Sequence, residues 1–365
     1  MPDSESAASF KNSSSEFSSR LSKSWWKVFG DGKLNSLMAD LDRGNFDLRA
    51  AEARRNQAYA ALGVDRSLLA PQVLSEASAN RNRVTESDRF GGGGPGGGGA
   101  PPNYFTNYGV SMSLGYELDL WGRVRRIVEA SRAEADAAEI SVDQVKLSLQ
   151  AQLARNYFAM RFLDSEAAVL EQALETRQET LGLTKDRFEG GKTSELDVAR
   201  AEAELATTRA QLVSLQAPRA ALENSIAVLV GRNASNFSIP AKGVSGSAPS
   251  VSAGSPASLL RRRPDVFVAE RNLAASSARI GVATAAFYPS VSLIGSGGYS
   301  SVDSEDFLKW SSREFSIGPQ VDLPLFQGLR RKAGLAKAKA QHEEALANYQ
   351  QTVLTAFADV ENALA

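Results

Sequence analysis

The sequence predicts a mixed α/β membrane protein, built mostly of long coiled-coil α-helices plus four β-strands that other copies must complete, in two internal repeats. Three observations predict it. The two halves share one residue pattern, a proline-free stretch at 123–188 carries apolar residues at coiled-coil spacing, and short segments in both halves alternate apolar and polar residues.

The repeat comes first, because missing one misassigns a whole fold. At a shift of 218 residues, Asp47, Ala51, Glu52, Gly63, Val64, Pro71 and Val73 align with Asp265, Ala269, Glu270, Gly281, Val282, Pro289 and Val291. At a shift of 205, Leu118, Leu120 and Trp121 align with Leu323, Leu325 and Phe326. Each copy reads as helix, strand, loop, strand and long helix. The expected organisation is a disordered serine-rich segment at 1–24 and a first repeat at 25–234, with strands near 72–84 and 104–119 and a helical hairpin at about 123–231. A Ser/Ala/Gly/Pro-rich linker at 235–258, which should bury little, leads to a second repeat at 259–365, with strands near 290–301 and 313–325 and a long helix expected to be truncated.

The long helix follows from its residues. Ala, Glu, Gln, Leu and Arg dominate 123–188, and all favour helix. Val142, Val145, Leu149, Leu153, Tyr157, Met160, Leu163, Ala167, Leu170, Leu174, Gln178 and Leu181 recur about every 3.5 residues, a seam that must meet other helices. Such a helix extends about 100 Å. It should turn at Gly190-Gly191 and run back from Thr193 to about Gly231, with a kink at Pro218.

The strands follow from period two. In 104–119 the even positions carry Tyr104, Tyr108, Val110, Met112, Leu114, Tyr116 and Leu118, while the odd positions carry Asn107, Ser111, Ser113 and Glu117. Phe315, Ile317, Val321, Leu323 and Leu325 alternate with Glu314, Ser316, Gln320 and Asp322, and the segment after Pro71 is the weakest strand. Tyr104, Phe105, Tyr116, Trp121, Phe287, Tyr288, Trp310 and Phe326 cluster near strand ends, as aromatics do at a membrane interface. Four strands do not close a barrel, and open edges are not tolerated in lipid, so the chain must oligomerise; two copies or three satisfy the count.

Composition excludes several function classes. With Lys+Arg 41 against Asp+Glu 42 there is no bulk attraction to a nucleic-acid backbone. No cysteine and a lone His342 leave no zinc cluster and no Ser/His/Asp set, so no catalytic residue, metal or cofactor is assigned. His342 reads as a solvated helix residue. No apolar run long enough for a spanning helix occurs. The glycine tract at 91–99 lacks a following Lys-Ser/Thr and reads as a hairpin loop, and Gly295, Gly297 and Gly298 within a strand mark close approach or a bend. Arg261, Arg262 and Arg263 precede Pro264-Asp265 and read as a helix start.

In combination, Trp25-Trp26 with Phe29, Tyr116-Glu-Leu-Asp-Leu-Trp-Gly-Arg123, Ser258-Leu-Leu-Arg-Arg-Arg-Pro-Asp265, Ile280-Gly-Val-Ala283, Phe287-Tyr-Pro-Ser290 and Pro324-Leu-Phe326 resemble the TolC-like outer-membrane efflux factors of the NodT type. The resemblance implies a homotrimer with a twelve-stranded barrel in outer-membrane lipid and an α-helical barrel in the periplasm of a Gram-negative bacterium. It also implies a periplasmic adaptor and an inner-membrane resistance-nodulation-division pump as partners. It makes Arg187, Gly190, Gly191, Thr193, Ser194 and Asp197 the expected adaptor-contact tip. Thr193 or Ser194 is equally expected to cap the returning helix. Members carry a signal peptide, often a lipidated cysteine, and a second hairpin with carboxylates at its tip; residues 1–24 show neither of the first two, and the hairpin is expected beyond Ala365.

The expected function is a passive duct for drugs, solvents or metal ions, with Asn107, Ser111, Ser113 and Glu117 lining a wet lumen. A type I protein-secretion channel and a soluble coiled-coil scaffold are the alternatives.

Overall fold

The computed structural model describes residues 24–83, 104–244 and 263–364. All but one residue of the segment expected to be disordered, the glycine tract, Arg261, Arg262 and most of the expected linker lie outside the described residues.

Helix α1 (Gly32–Gly44) and helix α2 (Phe46–Ser67) lead into strand β1 (Gln72–Arg83) and strand β2 (Tyr104–Leu118). Helix α3 (Arg123–Glu189) follows, then α4 (Glu195–Ser214) and α5 (Gln216–Leu229). Helix α6 (Pro264–Ala285), strands β3 (Ser290–Ser301) and β4 (Arg313–Asp322), and helix α7 (Arg330–Leu364) complete the order. Two compact units cut across the sequence repeats, each drawing on both halves. One contains Met1–Arg55, Ala138–Val268 and Thr352–Ala365, and the other Asn56–Ala137 and Ala269–Gln351.

The first unit holds the larger apolar core. Leu34, Leu37, Met38 and Leu41, spaced to fall on one face of α1, are buried with Leu153, Tyr157 and Met160 of α3 and Ile226 of α5. Asp31 caps α1, accepting from the amides of Lys33 at 2.8 Å and Leu34 at 3.0 Å, and it also accepts from the Tyr157 hydroxyl at 2.7 Å. Burial first, then that hydrogen bond to Asp31, pushes the Tyr157 hydroxyl up to about 12. The heptad seam is buried only from Leu149 to Met160; Leu163, Leu170, Leu174 and Leu181 are half-buried and Gln178 is exposed. That half-covered stripe leaves apolar surface for neighbouring helices.

Two breaks differ from expectation. Helices α1 and α2 separate at Asn45, whose side chain accepts from the Leu48 amide at 2.9 Å and donates to the Leu229 carbonyl at 2.8 Å. The returning helix breaks at Leu215 and not at Pro218, which sits in the first turn of α5, where its missing N–H has no intrahelical partner to lose.

The expected linker also buries more than its composition suggests, with Ile239 only 1% exposed. Arg219 donates to Asp164 at 2.6 Å and to the Ile239 carbonyl at 2.8 Å. Arg161 donates to Asp164 at 3.1 Å and to the Pro240 carbonyl at 2.7 Å, while the Lys242 amide donates to Asp164 at 3.1 Å. Backbone that a helix or sheet would have satisfied is satisfied here by buried charged side chains.

In the second unit the strands form one antiparallel sheet in the order β1-β2-β3-β4, leaving β1 and β4 as its two edges. Strand β4 stops at Asp322, short of the expected 325, because Pro324 has no N–H to extend a ladder. Of the three strand glycines, Gly298 carries the close approach: a Cβ there would lie 2.2 Å from the Val110 carbonyl oxygen. The helices pack through small side chains, with Ala130, Ala133, Ala275, Ala278, Ala285 and Ala338 buried alongside Leu62 and Val124. His342 departs from the solvated reading, since its ring is half-buried with Nδ1 3.0 Å from the Ser276 hydroxyl.

The two-faced sheet and the helical tip

The sheet register settles which side chains share a face. Ser113 pairs with Leu74 and Ser296, Ser111 with Glu76 and Gly298, and Glu117 with Ser292, while Ser296 pairs with Ser316 and Gly298 with Glu314. Asn107 pairs with Asn80 and Ser292 with Gln320. The expected lumen residues Asn107, Ser111, Ser113 and Glu117 therefore lie on one face, which is polar apart from Leu74, Phe105 and Ile294.

The opposite face carries Val73, Leu114, Gly295 and Ile317 in one row, Ser75, Met112, Gly297 and Phe315 in the next, and Leu118, Val291 and Val321 near the helix end. Phe315 is 81% exposed and Ile317 69%, an apolar surface that water does not favour. Charge is segregated as well. Glu76, Glu117, Glu314 and Asp322 lie on the polar face, and Arg81, Arg83 and Arg313 on the apolar one. Sequence reasoning missed Arg81 and Arg83 because β1 places Ser75, Ala77 and Ala79 where larger apolar residues would have marked the phase.

Where the strands meet the helices the geometry is fixed by side chains of the Glu117–Arg125 stretch. Glu117 accepts from Arg123 Nε at 2.9 Å. Asp119 accepts from the amides of Val124 at 3.0 Å and Arg125 at 2.8 Å, capping α3. Burial would push the Asp119 carboxyl up, but those amides and the Arg125 guanidinium hold it below its ordinary value. Trp121 donates to the Pro289 carbonyl at 2.6 Å and stacks on Tyr288 with centroids 4.9 Å apart.

The expected tip residues are brought together in one helical turnaround. Arg187 lies in the last turn of α3, where the Lys192 amide donates to its carbonyl at 2.8 Å and the Gly191 amide donates to the Phe188 carbonyl at 2.9 Å. This is the glycine-ended termination that satisfies orphan carbonyls, and it requires Gly191 at φ 68°. Gly190 precedes it as an ordinary exposed residue. Ser194 caps α4 and Asp197 completes the reciprocal box; Asp197 accepts from the Thr193 hydroxyl at 2.7 Å, the Ser194 hydroxyl at 2.7 Å and the Ser194 amide at 3.1 Å. The Ser194 and Thr193 hydroxyls, in that order, hold the Asp197 carboxyl down to about 2. Arg187 is exposed, and beside the cap stand two exposed apolar side chains that sequence reasoning left out, Phe188 and Leu196.

Among the described residues no group of His, Cys, Asp or Glu side chains is arranged to hold a metal, and no helix is long and apolar enough to cross a membrane. The membrane-directed element is instead a sheet with one polar face, one apolar face and two unpaired edges, which defines the protomer of an oligomeric channel.

The outer membrane efflux protein family matches residues 37–232 and 256–365, and the chain belongs to that family. The Pseudomonas putida protein named probable efflux pump outer membrane protein TtgC is 31% identical, over 93% of this chain and 69% of its own length. Nodulation protein T of Rhizobium leguminosarum bv. trifolii is 33% identical, over 93% of this chain and 71% of its own. The solved outer-membrane channel OprN superposes with a TM-score of 0.87 at 35% identity, covering 98% of this chain and 79% of that one. The chain is thus a TolC-like outer-membrane efflux channel subunit of a Gram-negative bacterium. These findings set aside the soluble scaffold and favour efflux over polypeptide secretion.

Proposed function

We propose that three copies of this chain close their sheets into one twelve-stranded barrel whose polar faces line the passage and whose apolar faces meet lipid. The observation that carries this is the register: every acidic side chain of the four strands lies on one face, and the other face is apolar through its middle. Unpaired backbone at β1 and β4 is costly in lipid, so each edge needs a neighbour's edge. Two copies would give a barrel that side chains fill, whereas three leave a wet bore.

In this reading the sequence repeats, 25–234 and 259–365, are the units that supply one strand pair each. The helices stand in the periplasm, and the turnaround of Arg187, Gly190, Gly191, Thr193, Ser194 and Asp197 docks on a periplasmic adaptor that couples the duct to an inner-membrane resistance-nodulation-division pump. The exposed Arg187, Phe188 and Leu196 beside a rigid cap offer a charged and apolar surface for such docking. Energy comes from that pump, and the duct is passive, with no catalytic step of its own.

The chain contains no cysteine, so accessibility can be read one residue at a time. In membranes, Ser113→Cys and Ser111→Cys should react with a charged, membrane-impermeant thiol reagent, and Leu114→Cys and Met112→Cys should not. Equal labelling of both sets would remove the assignment of faces. Replacing Gly190 and Gly191 by bulky residues should abolish cross-linking to the adaptor, and unchanged cross-linking would remove the tip assignment.

A further inference from the structure

We infer that the loop-side rim of the apolar face binds the phosphates of a phosphorylated glycolipid in the outer leaflet, through Arg81, Arg83 and Arg313. The inference rests on the barrel reading just given, which turns this face toward lipid.

Strands β1 and β2 adjoin helices α2 and α3 at one end, and β3 and β4 adjoin α6 and α7 at the same end of the sheet; at the other, loop end Arg83 pairs with Tyr104 and Tyr299 with Arg313. With the helices on the periplasmic side, the loop ends reach the outer leaflet. Arg81 and Arg83 are at the loop end of β1, and Arg313 is the first residue of β4. Their rows on the sheet are those of Thr106, Tyr104 and Tyr299, all on the apolar face.

Below them that face carries no charge. Arg313 shares a row with Tyr299 and Val110, so the charge-free stretch runs from Met112 to Leu118. It climbs about 20 Å, or about 15 Å along the membrane normal at a tilt of about 40°. Arg313 thus sits in the outer part of the apolar band of about 25 Å that such barrels present, from which a long arginine side chain reaches the interface, and Arg81 and Arg83 stand two and three rows beyond it, where acyl chains give way to headgroups. An unpaired cation facing lipid is costly within that band and favourable just beyond it, where anionic groups lie.

Each guanidinium is also held in place. Arg81 and Arg83 lie 5.9 Å and 5.6 Å from the centroid of the Tyr104 ring, and Arg313 lies 3.5 Å from that of Trp310. Ring faces stabilise the cation and leave its N–H fork available. Among the described residues no carboxylate forms an ion pair with any of the three, and Asp306 in the neighbouring loop is taken by Lys309. A planar fork matches a phosphate monoester bidentately, whereas phosphatidylcholine offers only a phosphodiester whose charge its own choline offsets.

The test uses the whole oligomeric channel in phosphatidylcholine nanodiscs carrying trace bisphosphorylated lipid A or its enzymatically dephosphorylated form, with retained lipid counted by native mass spectrometry. The wild-type channel should retain the phosphorylated form at least about tenfold better, and the Arg81→Gln/Arg83→Gln/Arg313→Gln variant should lose that preference. Equal retention of the two lipids by the wild type, or an undiminished preference in the variant, overturns the inference. The wild-type comparison decides the matter even if the variant fails to assemble. Failure of the wild-type channel to enter phosphatidylcholine nanodiscs at all would remove the barrel reading, and this inference with it, whereas insertion without phosphate preference would remove the inference alone.

Discussion

Glu117, on the polar face of β2, accepts a hydrogen bond from Arg123 in the first turn of α3 at 2.9 Å, so the charge at the helix end of the polar face is neutralised by the element that follows it. Glu76, Glu314 and Asp322 have no such guanidinium partner among the described residues. In the proposed barrel, a lumen lined this way concentrates cations. Planar-bilayer recordings under a salt gradient should show cation preference in the wild type. Arg123→Gln, which frees Glu117, should strengthen it, and Glu117→Gln, which leaves Arg123 unopposed, should weaken it. Shifts of the same sign in both variants would contradict the face assignment.

Asp164 is the hub of the buried charge cluster, with its side chain 2% exposed between Arg161 and Arg219. Removing it leaves the buried Arg161 guanidinium without its carboxylate and takes one of two carboxylates from the half-buried Arg219, which keeps Glu223; breaking such a buried pair typically costs about 3–5 kcal/mol. Asp164→Ala should therefore loosen the segment around Ile239 and Lys242, whose amides donate to Glu223 and Asp164. Hydrogen exchange at those two amides should accelerate more than exchange in α1. Unchanged protection would show that Phe237 and Ile239 pin the segment by packing alone.

The tip carries a pH dependence of known sign. Asp197 has its carboxyl held at about 2, below the ordinary 3.8, so the charged form is favoured by the fold. The cap is fully formed above about pH 4 and is lost as pH falls through about 2, with the intervening window carrying the change. The carboxyl carbon resonance of Asp197 should titrate near the lower value in the wild type and move toward the ordinary one in Ser194→Ala. A wild-type midpoint near 4 would show that the capping box does not persist in solution.

How far the fold was legible depends on which force placed each element. Strand β2 was readable because the strict alternation of residues 108–118 admits one phase, and Gly191 was readable because a turn there requires a positive φ. The breaks at Asn45 and Leu215 were not, since the first depends on a carbonyl 184 residues away and the second carries no breaker at its own position. The bonding of Asp164 to Arg219, 55 residues apart on different helices, likewise leaves no periodic trace. At the turnaround the helix cap was legible but the share of Asp197 in it was not: Thr193, Ser194 and Asp197 spend their polar atoms on one another, which leaves Arg187, Phe188 and Leu196 as the outward surface. The arginines of β1 escaped because small residues hide the phase of that strand.

The central claim is that neighbouring copies join β4 of one to β1 of the next. With no native cysteine to interfere, Ser78→Cys on β1 and Ser316→Cys on β4, both on the polar face, can be bridged by a short bis-maleimide in intact membranes. A denaturing gel should then show covalent dimers and trimers with nothing larger, and neither single variant should give trimers. Only monomers from the double variant, with the protein soluble without detergent, would contradict the channel.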